Sequence, residues 1–147
     1  MNTKTRLGII IVLAILIIAG IGIYLAHEKQ PADVSVSGKL QIVAAENFWG
    51  SIASQIGGND VQVTSIVSVP NADPHEYESD TNDAREFANA NYVIVNGVGY
   101  DSWADKLLSA STNPNRKVLD VGTLVGKQEG DNPHLWYNPA YVNLAAK

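Results

Sequence analysis

The sequence predicts an α/β fold in which a parallel four-stranded sheet is flanked by helices. Four short runs rich in β-branched residues alternate with segments that have helical spacing, and Gly, Asn or Pro mark most junctions. This alternation is typical of parallel strands joined by right-handed helical crossovers. With 147 residues, the chain is long enough for one domain of ordinary size.

The first strand and helix are predicted between residues 40 and 58. Residues 40 to 45 form a short, mostly apolar run. Helical spacing follows in Phe48, Ile52 and Ile56, and two consecutive glycines then end the helix. A strand that leads directly into a helix is the first half of a βαβ unit.

The second and third strands are predicted at residues 61 to 69 and 92 to 96. The former is rich in β-branched residues and leads into the loop that carries His75. Between the strands, Asp80 or Thr81 caps a helix that docks through Phe87. The first histidine loop is therefore expected at the C-terminal end of a strand.

The remaining elements complete the alternation. A helix opens at Asp101 or Ser102 and ends before the sequence Asn-Pro-Asn at residues 113 to 115. Residues 118 to 121 are predicted as the fourth strand. Asn138, followed by a proline, caps a last helix that continues to the end of the sequence.

Residues 1 to 30 are predicted to be a signal anchor or a signal peptide, formed by an N-terminal apolar helix. The 19 residues from Leu7 to Leu25 carry no charge, and Lys4 and Arg6 precede them. As a helix, this run spans roughly 28 Å, enough to cross a bilayer. No good cleavage site follows, which favours an uncleaved membrane anchor. We expect residues 31 to 39 to be a tether and the rest to be extracytoplasmic, either membrane-anchored or periplasmic or secreted.

Composition excludes several classes of function. Without cysteine, the chain has no disulfide, no thiolate metal ligand and no lipid-modified cysteine. Its formal charge of −5 argues against nucleic acid as a partner, because nucleic acids bind basic patches. Any bound metal must be held by nitrogen and oxygen.

Two histidines in similar frames are the strongest functional signal. Residues 73 to 77 read Asp-Pro-His-Glu-Tyr and residues 132 to 136 read Asn-Pro-His-Leu-Trp, whereas the third histidine, His27, adjoins the apolar segment. Proline restricts the direction of each loop, and imidazole is the commonest ligand of borderline transition metals. Because both loops follow the strands, we expect His75 and His134 to meet at one sheet edge and bind a metal.

Other residues near these frames have two possible roles. The three tryptophans could line a pocket, but core packing is favoured. Each histidine needs an acceptor for its second ring nitrogen, and the nearby carboxylates are unranked candidates: Glu46, Glu76, Glu78 and Asp131. The Gly-x-Gly after the third strand is read as a turn and not as a nucleotide loop.

Several blocks, in order, resemble the metal-binding solute-binding proteins of bacterial ABC transporters, the zinc and manganese uptake group. The blocks are residues 63 to 67, residues 73 to 78, residues 96 to 99 with the following Trp103, and residues 132 to 136. The resemblance implies two α/β lobes joined by a long helix, with metal held between them. It makes His75 and His134 the ligands of the first lobe.

By this resemblance, residues 40 to 137 form the metal-binding N-terminal lobe, and residues 138 to 147 begin the interlobe helix. The second lobe, with its further ligands, is expected to be absent. The function implied is capture of Zn²⁺ or Mn²⁺ for an ABC-type permease. Two alternatives remain: a metal-dependent hydrolase, which the lack of an H-E-x-x-H helix disfavours, and an inert fragment.

Overall fold

The computed structural model describes residue 2 and residues 38 to 147. Apart from residue 2, the predicted anchor at residues 1 to 30 lies outside the described residues, as does the tether before residue 38, so both stay predictions. In the part of the chain that is described, no helix combines the length and the apolar character needed to cross a bilayer.

Four parallel strands form one sheet, as predicted. They are β1 (Leu40–Glu46), β2 (Val61–Val67), β3 (Tyr92–Val95) and β4 (Lys117–Asp120), in the spatial order β2-β1-β3-β4. All three pairings are parallel. The chain adds β2 on one side of β1 and β3 on the other, so the strand order reverses between β1 and β3. In open α/β sheets, ligands bind beyond the C-terminal ends of the strands at such a point.

Helices connect and follow the strands. They are α1 (Asn47–Gly57), α2 (Thr81–Asn89), α3 (Ser102–Ala110), α4 (Val121–Leu124) and α5 (Pro139–Ala145). Two of the predicted caps are confirmed by hydrogen bonds. The Asp80 carboxylate accepts from the first turn of α2 in a capping box, and the Asn138 side chain accepts from the first turn of α5.

The end of the fourth strand differs from the prediction. Residues 118 to 121 were expected to be extended, but β4 ends at Asp120 and Val121 starts α4. The Asp120 carboxylate accepts a hydrogen bond from the N–H of Thr123, at 2.9 Å, and so caps a helix of a single turn. Such a short helix has no periodicity that a sequence pattern can reveal.

Side chains pack on both faces of the sheet. Alternate residues of β1 and β3 point to opposite faces, so Val43 and Val93 join one cluster while Ile42 and Ile94 join the other. Phe87, as predicted, docks α2 into the first cluster and is fully buried. Both faces are therefore covered, which leaves the strand ends as the place for a site.

Candidate metal centre

The same type of hydrogen bond stabilises each of the two histidine loops. The N–H of His75 donates to the Asp73 carboxylate, at 2.9 Å, and the N–H of His134 donates to the Asn132 side-chain oxygen, at 3.0 Å. In each loop, a proline with fixed φ lies between the acceptor and the histidine. The backbone direction of each histidine is thus set locally, by an Asp or Asn placed two residues before it.

The His134 ring is also held in one tautomer. Its Nδ1 atom lies 2.7 Å from the Asn132 side-chain oxygen. An amide oxygen only accepts hydrogen bonds, so Nδ1 carries the proton and donates it. The Nε2 atom of a neutral ring is then unprotonated and available to a metal. For His134, the acceptor of the second ring nitrogen is therefore Asn132 and none of the four candidate carboxylates.

Tyr100 lies near both histidine rings. Its ring centroid lies 4.6 Å from that of His75, in an edge-to-face arrangement, and 6.2 Å from that of His134. The two imidazole centroids are therefore at most about 11 Å apart. Both histidines are exposed, whereas Tyr100 is only 8% exposed. No pattern in the sequence marks Tyr100 as part of the site.

The three tryptophans divide between core and site. Trp49 and Trp103 are buried in the two core clusters, in agreement with the favoured interpretation. Trp136 is half-buried, stacks on Phe48 with centroids 4.0 Å apart, and lies 5.3 Å from the His134 ring. An aromatic surface therefore adjoins the second histidine.

Asn96 ties the His134 loop to the sheet. This fully buried side chain accepts a hydrogen bond from the Trp49 indole, at 3.1 Å, and donates one to the Pro133 carbonyl, at 2.9 Å. Because Pro133 immediately precedes His134, Asn96 fixes the position of the second loop relative to β3. The sequence placed Asn96 at the end of a strand but did not indicate this contact.

The turn that carries Tyr100 has a strained backbone, and the Asp101 carboxylate stabilises it through hydrogen bonds. Gly97, Val98 and Gly99 all have positive φ, of 72°, 60° and 75°. Val98 is β-branched, and a conformation of this kind costs on the order of 1–3 kcal/mol. The Asp101 carboxylate accepts hydrogen bonds from the N–H groups of Asn96, at 2.6 Å, and Gly97, at 2.9 Å. These buried bonds oppose the strain.

Acidic groups lie on the inner side of this turn. Burial raises the pKa of Tyr100, and Glu46, Asp73 and Asp101 raise it further when they are ionised, so the phenol stays neutral near pH 7. Burial also raises the pKa of Asp101 to about 6, against the opposing effect of its backbone hydrogen bonds. Burial, with the neighbouring Asp101 carboxylate, raises the pKa of Glu46 to about 10.

The other carboxylates considered near the histidines do not converge on them. Glu76 and Glu78 are exposed, and Asp131 forms a local ion pair with Lys127 at 3.7 Å. Across residues 38 to 147, no three side chains of the His, Asp and Glu types are placed to hold one ion. A metal held by His75 and His134 would therefore need further ligands from outside the described residues.

Comparison with known proteins shows that this chain matches a protein family. The family model described as the periplasmic component A of the zinc-uptake complex, ZnuA, matches residues 42–147. A manganese ABC transporter substrate-binding lipoprotein, PsaA, of Streptococcus anginosus is 30% identical over 146 residues, covering 90% of this chain and 46% of that protein. A protein of the same name from Streptococcus pneumoniae is 31% identical over 127 residues, with 78% and 41% covered.

Solved structures show the same fold. The Mn-bound periplasmic metal binding protein from Candidatus Liberibacter asiaticus matches with a TM-score of 0.62 and 22% identity, over 73% of this chain and 42% of that one. Zn(II)-bound AdcA from Streptococcus pneumoniae matches with a TM-score of 0.61 and 20% identity, over 74% and 24%. The chain spans less than half the length of the curated relatives that it matches.

Proposed function

The chain belongs to the family of the periplasmic zinc-uptake complex component A, and on that premise we propose that it captures a divalent transition metal outside the cytoplasm. The metal, Zn²⁺ or Mn²⁺, is the cargo of an ABC-type uptake permease. His75 and His134 are its ligands in this lobe, residues 40 to 137, and α5 begins the helix that leads out of the lobe.

The observation that carries the proposal is the shared contact with Tyr100. Two exposed imidazoles, each on a loop set by an Asp or Asn acceptor, lie against one buried ring. The His134 ring has its Nε2 atom free for a metal, because the protonated Nδ1 donates its hydrogen bond to the Asn132 side-chain oxygen. Preorganised neutral imidazoles are suitable ligands for zinc and manganese.

Further ligands must complete the coordination sphere. Two imidazoles satisfy half of a four-coordinate zinc site and a third of a six-coordinate manganese site. Water, a second copy of the chain or a further lobe supplies the remaining oxygen or nitrogen atoms. Curated relatives named as substrate-binding lipoproteins support a transport role over catalysis. No observation favours the hydrolase alternative.

Calorimetric titration of zinc and of manganese into the purified full chain tests the proposal. We expect one metal per chain, and loss of binding in a His75→Ala, His134→Ala double variant. His27→Ala is the matched control, because it removes the remaining histidine, and it should bind as the unaltered chain does. Equal binding in the double variant and the control would exclude His75 and His134 as ligands. Absence of binding by every form would refute metal capture by this chain alone.

A further inference from the structure

Glu46 is a buried carboxyl group that has no place in the proposed ligand set. It ends β1, and its side chain is 1% exposed. Among the described residues, neither of its oxygens has a partner in full hydrogen-bond geometry. Burying a polar group without a partner is costly, so a buried carboxyl of this kind requires a physical explanation.

Its position connects it to the metal centre. Glu46 borders a cleft of about 180 Å³ that is also lined by Tyr100 and by Pro74, the residue before His75. The pairing of Ala44 with Ile94 places Glu46 level with Asn96, whose N–H donates to the Asp101 carboxylate, and this carboxylate is near enough for its charge to act on Glu46. Because burial raises the pKa of Glu46 to about 10, this side chain is a neutral acid near pH 7 and carries a proton that it can donate.

The Asp101 carboxylate can accept a further hydrogen bond. Its two carboxylate oxygens accept from the N–H groups of Asn96 and Gly97, whereas a carboxylate offers about four acceptor positions. An O–H donor to a carboxylate gives a short, strong hydrogen bond, and its strength increases in a buried site. A bond from Glu46 would join the end of β1 to the turn that follows β3.

We propose that Glu46 is a positioning residue of the metal centre: by donating a hydrogen bond from its carboxyl O–H to the Asp101 carboxylate, it holds the turn of residues 96 to 101 in place. That turn carries Tyr100, which contacts both histidine rings, and Asn96, which binds the carbonyl before His134. Glu46 therefore acts on both loops without touching the metal. This inference rests on the proposed function of His75 and His134 as ligands.

Two substitutions of Glu46 separate hydrogen bonding from packing. Glu46→Gln keeps an N–H donor at the same position, whereas Glu46→Met has the same length and no donor. Imidazole NMR spectra of the metal-free full chain report ring position, because the Tyr100 ring shifts the proton resonances of both histidines and the Trp136 ring shifts those of His134. We expect Glu46→Gln to leave both sets of resonances in place and Glu46→Met to move both.

Metal titration of the same variants gives the second readout. Loss of a residue that orients ligands typically weakens metal binding by about 10- to 100-fold, and we expect this range for Glu46→Met but not for Glu46→Gln. Phe87→Leu is the matched control, since it perturbs the core cluster on the α2 side of the sheet. It should reduce stability while leaving the histidine resonances and the affinity unchanged.

The outcomes are distinguishable. Unmoved histidine resonances in Glu46→Met, or equal effects of Glu46→Met and Glu46→Gln, would overturn the role of Glu46. If Glu46→Met shows no cooperative unfolding, Asp101→Asn replaces it, because it weakens the same pair at nearly constant volume and is expected to move the same resonances. If the unaltered chain binds no metal, the proposed function fails, while the metal-free spectra still decide whether Glu46 positions the two rings.

Discussion

Raising the pH from 7 to 9 is expected to destabilise the fold by roughly 3 kcal/mol through Glu46 alone. The ordinary pKa of this carboxyl is 4.5, and burial followed by the Asp101 carboxylate raises it to about 10 in the folded chain. Between these values the folded state holds one proton that the unfolded state has released. The free energy of unfolding therefore falls as the pH rises.

The magnitude follows from proton linkage. One proton bound only by the folded state lowers the free energy of unfolding by about 1.4 kcal/mol for each unit of pH. The stabilising contribution is complete below pH 4.5 and declines until the pH reaches the folded pKa of about 10. Because small domains are stable by about 5–15 kcal/mol in total, a loss of this size is readily measured.

Urea unfolding at pH 7, 8 and 9 provides the assay, with Glu46→Gln as the comparison. The amide carries no titratable proton, so its curve reports the background that all other groups contribute. We expect the unaltered chain to lose stability more steeply than Glu46→Gln across this range. Parallel curves for the two proteins would show that Glu46 is ionised in the fold, and would refute the argument from burial.

Four further substitutions, one of them a control, test the packing of the site, a helix cap and a turn. Asn96→Leu leaves the buried Trp49 indole N–H unpaired and removes one of the two hydrogen bonds to the Pro133 carbonyl. It should cost roughly 1–3 kcal/mol in urea unfolding, and a cost below about 1 kcal/mol would contradict it. Asp80→Ala removes the capping box of α2 and should lower stability by about 1 kcal/mol, with no change in metal affinity. Gly97→Ala and Gly126→Ala both place alanine at a φ near +70°, but only at Gly97 does the new methyl group meet the Asp120 carboxylate. Thermal unfolding should therefore show the larger loss for Gly97→Ala, beyond the roughly 1–2 kcal/mol expected from the backbone alone.

The elements that the sequence predicted well are those whose signals are local. Hydrophobic periods of two and of 3.6 residues repeat within single segments, and a cap lies within three residues of the groups it binds. The capping role of Asp80 and the parallel sheet therefore agree with the structure. The helix at Val121–Leu124 was missed since one turn contains no repeat, and only the Asp120 carboxylate indicated it.

In the candidate site, too, the features that the sequence predicted are local ones. The paired Pro-His frames of His75 and His134 were visible in the sequence, and the Asp or Asn acceptor two residues earlier was visible too, although its role was not recognised. The sequence also restricted any metal ligands to nitrogen and oxygen. Local chemistry of this kind needs no knowledge of the fold.

Only the tertiary structure decided what joins the two loops. The contact between Asn96 and Pro133 spans 37 positions, and no local pattern records such a pair. The same holds for Tyr100, which meets both histidines, and for Glu46, whose unusual proton affinity arises from burial. Burial and long-range contact are properties of the packed chain, so a sequence can name the candidate ligands while the fold determines how they are held.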